Sequence, residues 1–114
     1  MAELAIGDRI ALSGGYDAYP SWDPQCRPDK KWPGTVIAFL ESGRADHDVV
    51  VKMDEPMAGD FDAAVLARRH VGTSWRDDDL VVMVALTREA DGPEAWSRSR
   101  LTHYVEACAT LHRA

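Results

Sequence analysis

One stretch decides the fold of this 114-residue chain: WPGTVIAFL at Trp32–Leu40. In it, a Pro-Gly turn signal runs directly into an apolar, β-branched segment, an order that is typical of a strand. Similar segments lie on either side, GDRIAL at Gly7–Leu12 and DVVVKM at Asp48–Met53. The first half of the chain is therefore predicted to hold three strands of a small β domain.

The second half contains one clear strand signal and two ambiguous segments. LVVMVAL at Leu80–Leu86 is apolar throughout and is predicted to be a strand buried on both faces. Phe61–Val71 fits either a short strand or a single helical turn. The last segment has a 3.6-residue apolar period that favours a helix at about 95–112, yet it also alternates like a strand that covers an open sheet edge. Periodicity alone leaves a mainly β fold and an α+β fold open.

Four short motifs follow one another along the first half: GDRI at Gly7–Ile10, GGY at Gly14–Tyr16, WPGTV at Trp32–Val36 and VVVKMD at Val49–Asp54. Their order resembles that of the small SH3-like barrels. The resemblance implies a mainly β fold in which residues 1–114 form a single barrel domain of about five antiparallel strands, with a long aromatic and proline-rich loop. Because such barrels close with a final strand, it favours a strand at Tyr104–Thr110 over a C-terminal helix.

Composition and charge narrow the expected partners. Thirteen Lys and Arg against nineteen Asp and Glu give a net charge of −6, which disfavours nucleic acid because it opposes contact with phosphates. No membrane partner is expected, since no stretch approaches the ~18 uninterrupted apolar residues of a membrane helix. The start MAELAIGD lacks the basic and apolar regions of a secretory signal, so a cytoplasmic location is predicted.

The most distinctive group of side chains is aromatic. Four prolines within Tyr16–Pro33 exclude a regular helix or a central strand, so this segment is predicted to be a loop. Exposed Trp and Tyr rings near carboxylates bind proline-rich peptides and cationic side chains by stacking and cation–π contact. The same rings could instead close the ends of the barrel as part of its core. The candidate ligand-binding residues are Tyr16, Asp17, Tyr19, Trp22, Trp32 and Trp75.

No catalytic residue, cofactor or metal site is predicted, because the sequence has no phosphate-binding loop, serine nucleophile elbow or zinc-ligand spacing. The leading hypothesis is an interaction module, not an enzyme, that binds a peptide or protein through the aromatic loop. The alternative is a small-molecule-binding protein or enzyme with its site at the barrel mouth or a subunit interface, where the polar groups would come from Arg68, Arg69, Asp17 or His70. A third possibility is a homo-oligomer joined through the strand edge at Leu80–Leu86.

Overall fold

The described part of the chain folds as a closed antiparallel β-barrel. The computed structural model describes residues 3–14, 31–41, 47–57, 60–70, 72–96 and 104–113. Six strands form the barrel. They are β1 (Arg9–Gly14), β2 (Lys31–Glu41), β3 (His47–Met57), β4 (Phe61–Arg68), β5 (Leu80–Thr87) and β6 (Tyr104–Arg113). A 3₁₀ turn at Glu89–Asp91 leads into helical residues 92–96.

Each strand pairs with the next one along the chain, and β1 pairs with β6 to close the barrel. The closing seam joins Ile10 to Arg113 and Gly14 to Ala109. Closure removes the free strand edges at which open sheets associate. In particular, β5 pairs with β4 on one side and with β6 on the other. The predicted oligomer contact through the Leu80–Leu86 edge is therefore wrong, since that edge is already occupied.

The predicted mainly β barrel is confirmed, with six strands instead of about five. The additional strand is β4, which settles the ambiguous Phe61–Val71 segment as a strand over Phe61–Arg68. The C-terminal alternative of a helix at about 95–112 is wrong over Tyr104–Arg113, which is β6. As a strand, this segment forms backbone hydrogen bonds with β5 on one side and with β1 on the other, which a helix could not do. These bonds close the barrel.

The barrel interior is filled by alternate residues of the strands. Its fully buried side chains include Leu12, Val36, Val51, Leu66, Val82 and Leu111. Gly34 occupies an interior position on β2 opposite Met53 of β3. A Cβ atom at Gly34 would lie 2.6 Å from Val51 Cγ1 and 2.8 Å from the Lys52 carbonyl oxygen. The absence of a side chain at Gly34 is therefore what allows β3 side chains to fill this part of the core.

A β-bulge in β2 gives this strand apolar residues on both faces. Val36 pairs with Val51, but the next pair is Ala38 with Val50, so Ile37 is the extra residue. Alternation changes phase at a bulge. Phe39 consequently lies opposite the interior Val49, whereas residues 37, 38 and 40 pack against a second apolar cluster.

The second cluster covers the outer face of the barrel where β3, β4 and β5 run side by side. Val50, Val65 and Ala85 lie in register across these strands. Trp96 of the helical segment packs on them and is only 7% exposed, and its indole Nε1 donates a hydrogen bond of 3.0 Å to the Arg88 carbonyl. The segment after β5 thus shields an apolar sheet face from water.

A bilayer-spanning helix is not found among the described residues, since none of their helical stretches has the length and hydrophobicity required.

Candidate functional site

The predicted aromatic site divides into a part that the structure describes and a part that it does not. Tyr16, Asp17, Tyr19 and Trp22 lie outside the described residues. Trp32 and Trp75 are described, and both are 7% exposed and belong to the interior core cluster. Their role in ligand binding stays a prediction.

The two buried tryptophans lie at opposite ends of the barrel. Trp32 is the second residue of β2, at the end where β2, β4 and β6 begin, which we call the Trp32 end. Trp75 belongs to the connection between β4 and β5, at the end where β1, β3 and β5 begin, which we call the Trp75 end. Each indole ring covers the apolar core at one open end of the barrel, which the paired strands do not close by themselves.

The connection that carries Trp75 is held by arginines from two strands. The Arg68 guanidinium lies over the indole, 5.9 Å from the ring centroid, and also donates to the Thr73 carbonyl oxygen. Arg113 donates to the Trp75 carbonyl at 3.3 Å. The turn is further fixed by the Asp77 carboxylate, which accepts a 2.9 Å hydrogen bond from the Ser74 amide. Trp75 therefore occupies a pre-formed position.

A cleft of about 310 Å³ opens at the Trp75 end. Its lining residues are Glu3, Leu4, Phe39 and Trp75. Leu4 and Trp75 form its buried walls, at 6% and 7% exposure, while Phe39 is 38% exposed and forms its open wall. Three of the four lining side chains are apolar, which is the composition expected of a ligand pocket.

The N-terminal segment forms one side of the cleft because backbone hydrogen bonds hold it along β2. The Gly7 amide donates to the Val36 carbonyl at 2.8 Å, and the Val36 amide donates to the Asp8 carbonyl at 2.9 Å. The Asp8 carboxylate accepts a further 2.9 Å bond from the Ala5 amide. This segment places Leu4 in the cleft and leaves Ile6 66% exposed.

The two large hydrophobic side chains exposed within the described ranges are Ile6 and Phe39. Both belong to the segments that meet at this cleft. Charge at the rim comes from Glu3, whose carboxylate is 3.8 Å from the Arg76 guanidinium, with both side chains more than 60% exposed. Such an exposed pair is weak, so the Glu3 carboxylate stays available to a basic ligand.

A network of ion pairs lies around the start of β4. The Arg88 guanidinium donates two hydrogen bonds to Asp60, at 2.8 and 3.0 Å, and lies 4.8 Å from the centroid of the Phe61 ring. The hydrogen bonds from Arg88 lower the pKa of Asp60. The ammonium of Lys52, followed by the Glu89 amide, lowers the pKa of Asp62. These carboxylates are held by structural partners, which leaves them little capacity for acid–base chemistry near neutral pH.

A second polar chain crosses the outer face of the barrel at the β1–β6 seam. Ser13 Oγ is 2.7 Å from His112 Nε2, and His112 Nδ1 is 2.9 Å from Asp79 Oδ1. With the imidazole proton on Nδ1, His112 donates to Asp79 and accepts the Ser13 hydroxyl proton. His112 lies opposite Ala11 in the seam, and Ser13 lies opposite Thr110, so Ser13 and His112 are diagonal neighbours.

The sequence did not point to Phe39, Ser13 or His112 as site residues. Phe39 enters the cleft because of the β2 bulge, and a continuous apolar run carries no signal of a bulge. Ser13 and His112 are 99 residues apart and meet only through the register of the closing seam. Within the described part of the chain, no group of three His, Cys, Asp or Glu residues is arranged to hold a metal ion.

Comparison with known proteins gives no match to any family model, any curated protein or any solved structure. The cleft at the Trp75 end and the Ser13–His112–Asp79 chain are thus interpreted from their own geometry.

Proposed function

We propose that the protein is a small interaction module that binds a peptide segment of a partner protein, with the cleft at the Trp75 end as its anchoring pocket. One observation carries the proposal: Phe39 is a partly exposed aromatic wall facing the buried side chains of Leu4 and Trp75 across a cleft of about 310 Å³. Burial of a partner side chain between these walls would remove apolar surface from water on both molecules.

The dimensions of the cleft support the insertion of a single large side chain. Its volume is at the lower end of the range of about 300–1,000 Å³ that is typical of ligand pockets. Because Trp75 is fixed by Arg68 and Arg113, little ordering is needed when a ligand enters. Leucine, phenylalanine or tryptophan of a peptide would fit such a pocket as an anchor.

The negative charge of the protein favours a peptide in which basic residues flank the anchoring side chain. Glu3 lines the cleft, and the chain carries a net charge of −6. An acidic surface raises the association rate of basic partners and disfavours acidic ones. Tyr19 and Trp22 belong to the segment that joins β1 to β2, and the adjoining strand ends lie at the Trp32 end. They are therefore proposed as a second contact for a partner protein and not for the peptide in the cleft.

The test uses two synthetic heptapeptides that share a central tryptophan, one flanked by lysines and the other by glutamates. Each is titrated into ¹⁵N-labelled protein, and binding is read from amide chemical shifts. We expect the lysine peptide to shift the amides of Glu3, Leu4 and Phe39 in a saturable way, while the glutamate peptide binds at least tenfold more weakly.

Phe39→Ala should weaken binding of the lysine peptide by ~10-fold or more, because truncating an aromatic wall removes about 1.5–3 kcal/mol of apolar contact. The control is Met83→Ala, a partly exposed apolar residue on the outer face of β5. Trp22→Ala and Tyr19→Ala should leave binding of the heptapeptide unchanged, because their segment joins β1 to β2 at the opposite end of the barrel, and should weaken capture only of a larger partner protein. The proposal fails if millimolar peptide shifts none of the cleft amides, or if Phe39→Ala and Met83→Ala bind alike.

A further inference from the structure

We infer that Ser13, His112 and Asp79 form a nucleophilic site that cleaves small activated carboxylic esters. This activity is separate from peptide binding at the cleft. It uses the chain of hydrogen bonds at the β1–β6 seam, in which the serine hydroxyl, the imidazole and the carboxylate follow one another at 2.7 and 2.9 Å.

The order of the groups is the one that activates a serine. A hydroxyl becomes an effective nucleophile when a base within hydrogen-bond reach accepts its proton as it attacks. His112 Nε2 is in that position relative to Ser13 Oγ. The base must in turn be held in the correct tautomer, and the Asp79 carboxylate on Nδ1 does this. Both required contacts are thus present.

The backbone at Asp79 supplies a second, independent observation. Among the described non-glycine residues, only Asp79 has a positive φ, at 51°. Asp enters that left-handed region in turns more readily than most residues with a Cβ atom, and here it sets the direction from which the Asp79 carboxylate reaches His112. Here the unusual φ belongs to the residue whose carboxylate orients His112, at the point where the turn passes into β5.

Lys31 is placed to stabilise the negative charge that develops on an attacked carbonyl. It lies directly opposite Ser13 in the β1–β2 ladder, on the side away from β6. Directly opposed residues have Cβ atoms about 4.5–5.5 Å apart on the same face, well within the reach of a lysine side chain. Ser13 is therefore flanked by His112 on one neighbouring strand and by the cationic Lys31 on the other.

The reaction balances with water as the second substrate. Ser13 Oγ attacks the ester carbon while its proton moves to His112 Nε2, and the tetrahedral oxyanion forms near Lys31. The bond from carbon to the leaving oxygen then breaks, the leaving alkoxide takes the proton from His112, and an acyl ester remains on Ser13. Water, deprotonated by His112, attacks that ester and releases the acid, and the proton returns to Ser13 Oγ.

Accessibility sets the substrate class. The site lies on the outer face of the barrel, where the His112 side chain is 25% exposed and Ser13 is half-buried. A compact acyl group reaches Ser13 from solvent, so short-chain esters with a good leaving group are the expected substrates. p-Nitrophenyl acetate has both properties.

The test measures p-nitrophenyl acetate hydrolysis and, in parallel, covalent labelling by a fluorophosphonate, located by peptide mass spectrometry. We expect labelling at Ser13. Both rates should fall by ~100-fold or more in Ser13→Ala and His112→Gln, the usual range for loss of a nucleophile or general base. Ser42→Ala, a serine in the segment between β2 and β3, is the matched control and should keep the wild-type rate.

The variant Asp79→Gly tests whether the Asp79 carboxylate positions His112 for catalysis or only stabilises the fold. Glycine adopts the positive φ without strain, so this variant should unfold at a temperature close to wild type. Its hydrolysis rate should nevertheless fall at least tenfold, because His112 loses the group that holds its tautomer. The inference is overturned if Ser13 is not labelled, or if rates in His112→Gln and Asp79→Gly equal that of Ser42→Ala.

Discussion

Gly34→Ala tests the packing of the barrel interior at a position where two effects have opposite signs. In a strand, replacing glycine by alanine normally stabilises by about 0.5–1 kcal/mol, since the unfolded chain loses conformational freedom. At Gly34, however, the new methyl group would lie 2.6 Å from Val51 Cγ1 and 2.8 Å from the Lys52 carbonyl oxygen. Ordinary contacts are about 3.5–4.0 Å, so both neighbours would be overlapped by close to 1 Å.

The two contacts differ in how readily they yield. The Val51 side chain can turn, but the Lys52 carbonyl belongs to the β3 backbone, which is bonded to β2 and β4. Overpacking of this kind costs about 1–3 kcal/mol. Because the contact with the rigid backbone places the overpacking cost in the upper half of this range, at about 2–3 kcal/mol, subtracting the entropic gain leaves an expected destabilisation of ~1–2.5 kcal/mol.

Urea unfolding, followed by tryptophan fluorescence, measures this effect. With a slope of about 1–3 kcal/mol per molar urea, the midpoint should fall by ~0.3–2.5 M while the slope stays unchanged. Val51→Ala combined with Gly34→Ala should not restore the wild-type midpoint, because the contact with the Lys52 carbonyl remains and Val51→Ala removes buried side-chain volume. A midpoint equal to or above the wild-type value would refute the reasoning about close packing at this position.

Two further predictions concern the outer surface of the barrel. Trp96→Ala should lower the free energy of unfolding by about 3–5 kcal/mol, because it exposes Val50, Val65 and Ala85 to water. Calorimetry measures the loss. An unchanged melting temperature would contradict a stabilising role for this second apolar cluster. Stability should also fall on acidification. Folding lowers the pKa of Asp54 through hydrogen bonds from Arg9, and that of Asp62 through Lys52. Their contribution is complete above the unfolded pKa of about 3.9 and is lost as pH falls through the lower folded values. The urea midpoint of the wild-type protein should fall between pH 6 and pH 2, and that of Asp62→Asn should fall less steeply. Parallel pH profiles of the two proteins would contradict the contribution of Asp62.

The sequence predicts the barrel well because its strands carry local signals. The β-branched runs at 35–40 and 80–86 are strands in the structure, and the turn residues 72–79 lie outside strands. The proline and glycine signal after Met53 was misleading, because β3 continues through Pro56 to Met57. Phe61–Arg68 was harder to interpret, since its alanines satisfy a helical and a strand period equally. Its neighbours decide the outcome: β3 and β5 offer hydrogen bonds on both sides, and this tertiary pairing overrides weak local preference.

The candidate sites were less predictable because they depend on register. Trp75 was recognised by residue type alone, but its burial against Leu4 depends on how the N-terminal segment runs along β2. The meeting of Ser13 with His112 depends on which residues of β1 and β6 lie opposite one another. A shift of one residue in either strand would move one of the two side chains to the other face, so composition and motifs carry no trace of the contact.

The closed ladder also has a kinetic consequence. Pairing from β2 through to β6 joins neighbours in sequence, so each of these hairpins can form early and locally. The seam is different, since Ile10 must find Arg113 across almost the whole chain. Contacts of such separation form slowly, because the entropy of closing the loop must be lost before any bond is gained. We therefore expect docking of the first strand against the last to limit the folding rate, and substitutions at the seam to slow folding more than equally destabilising ones within β3 or β4.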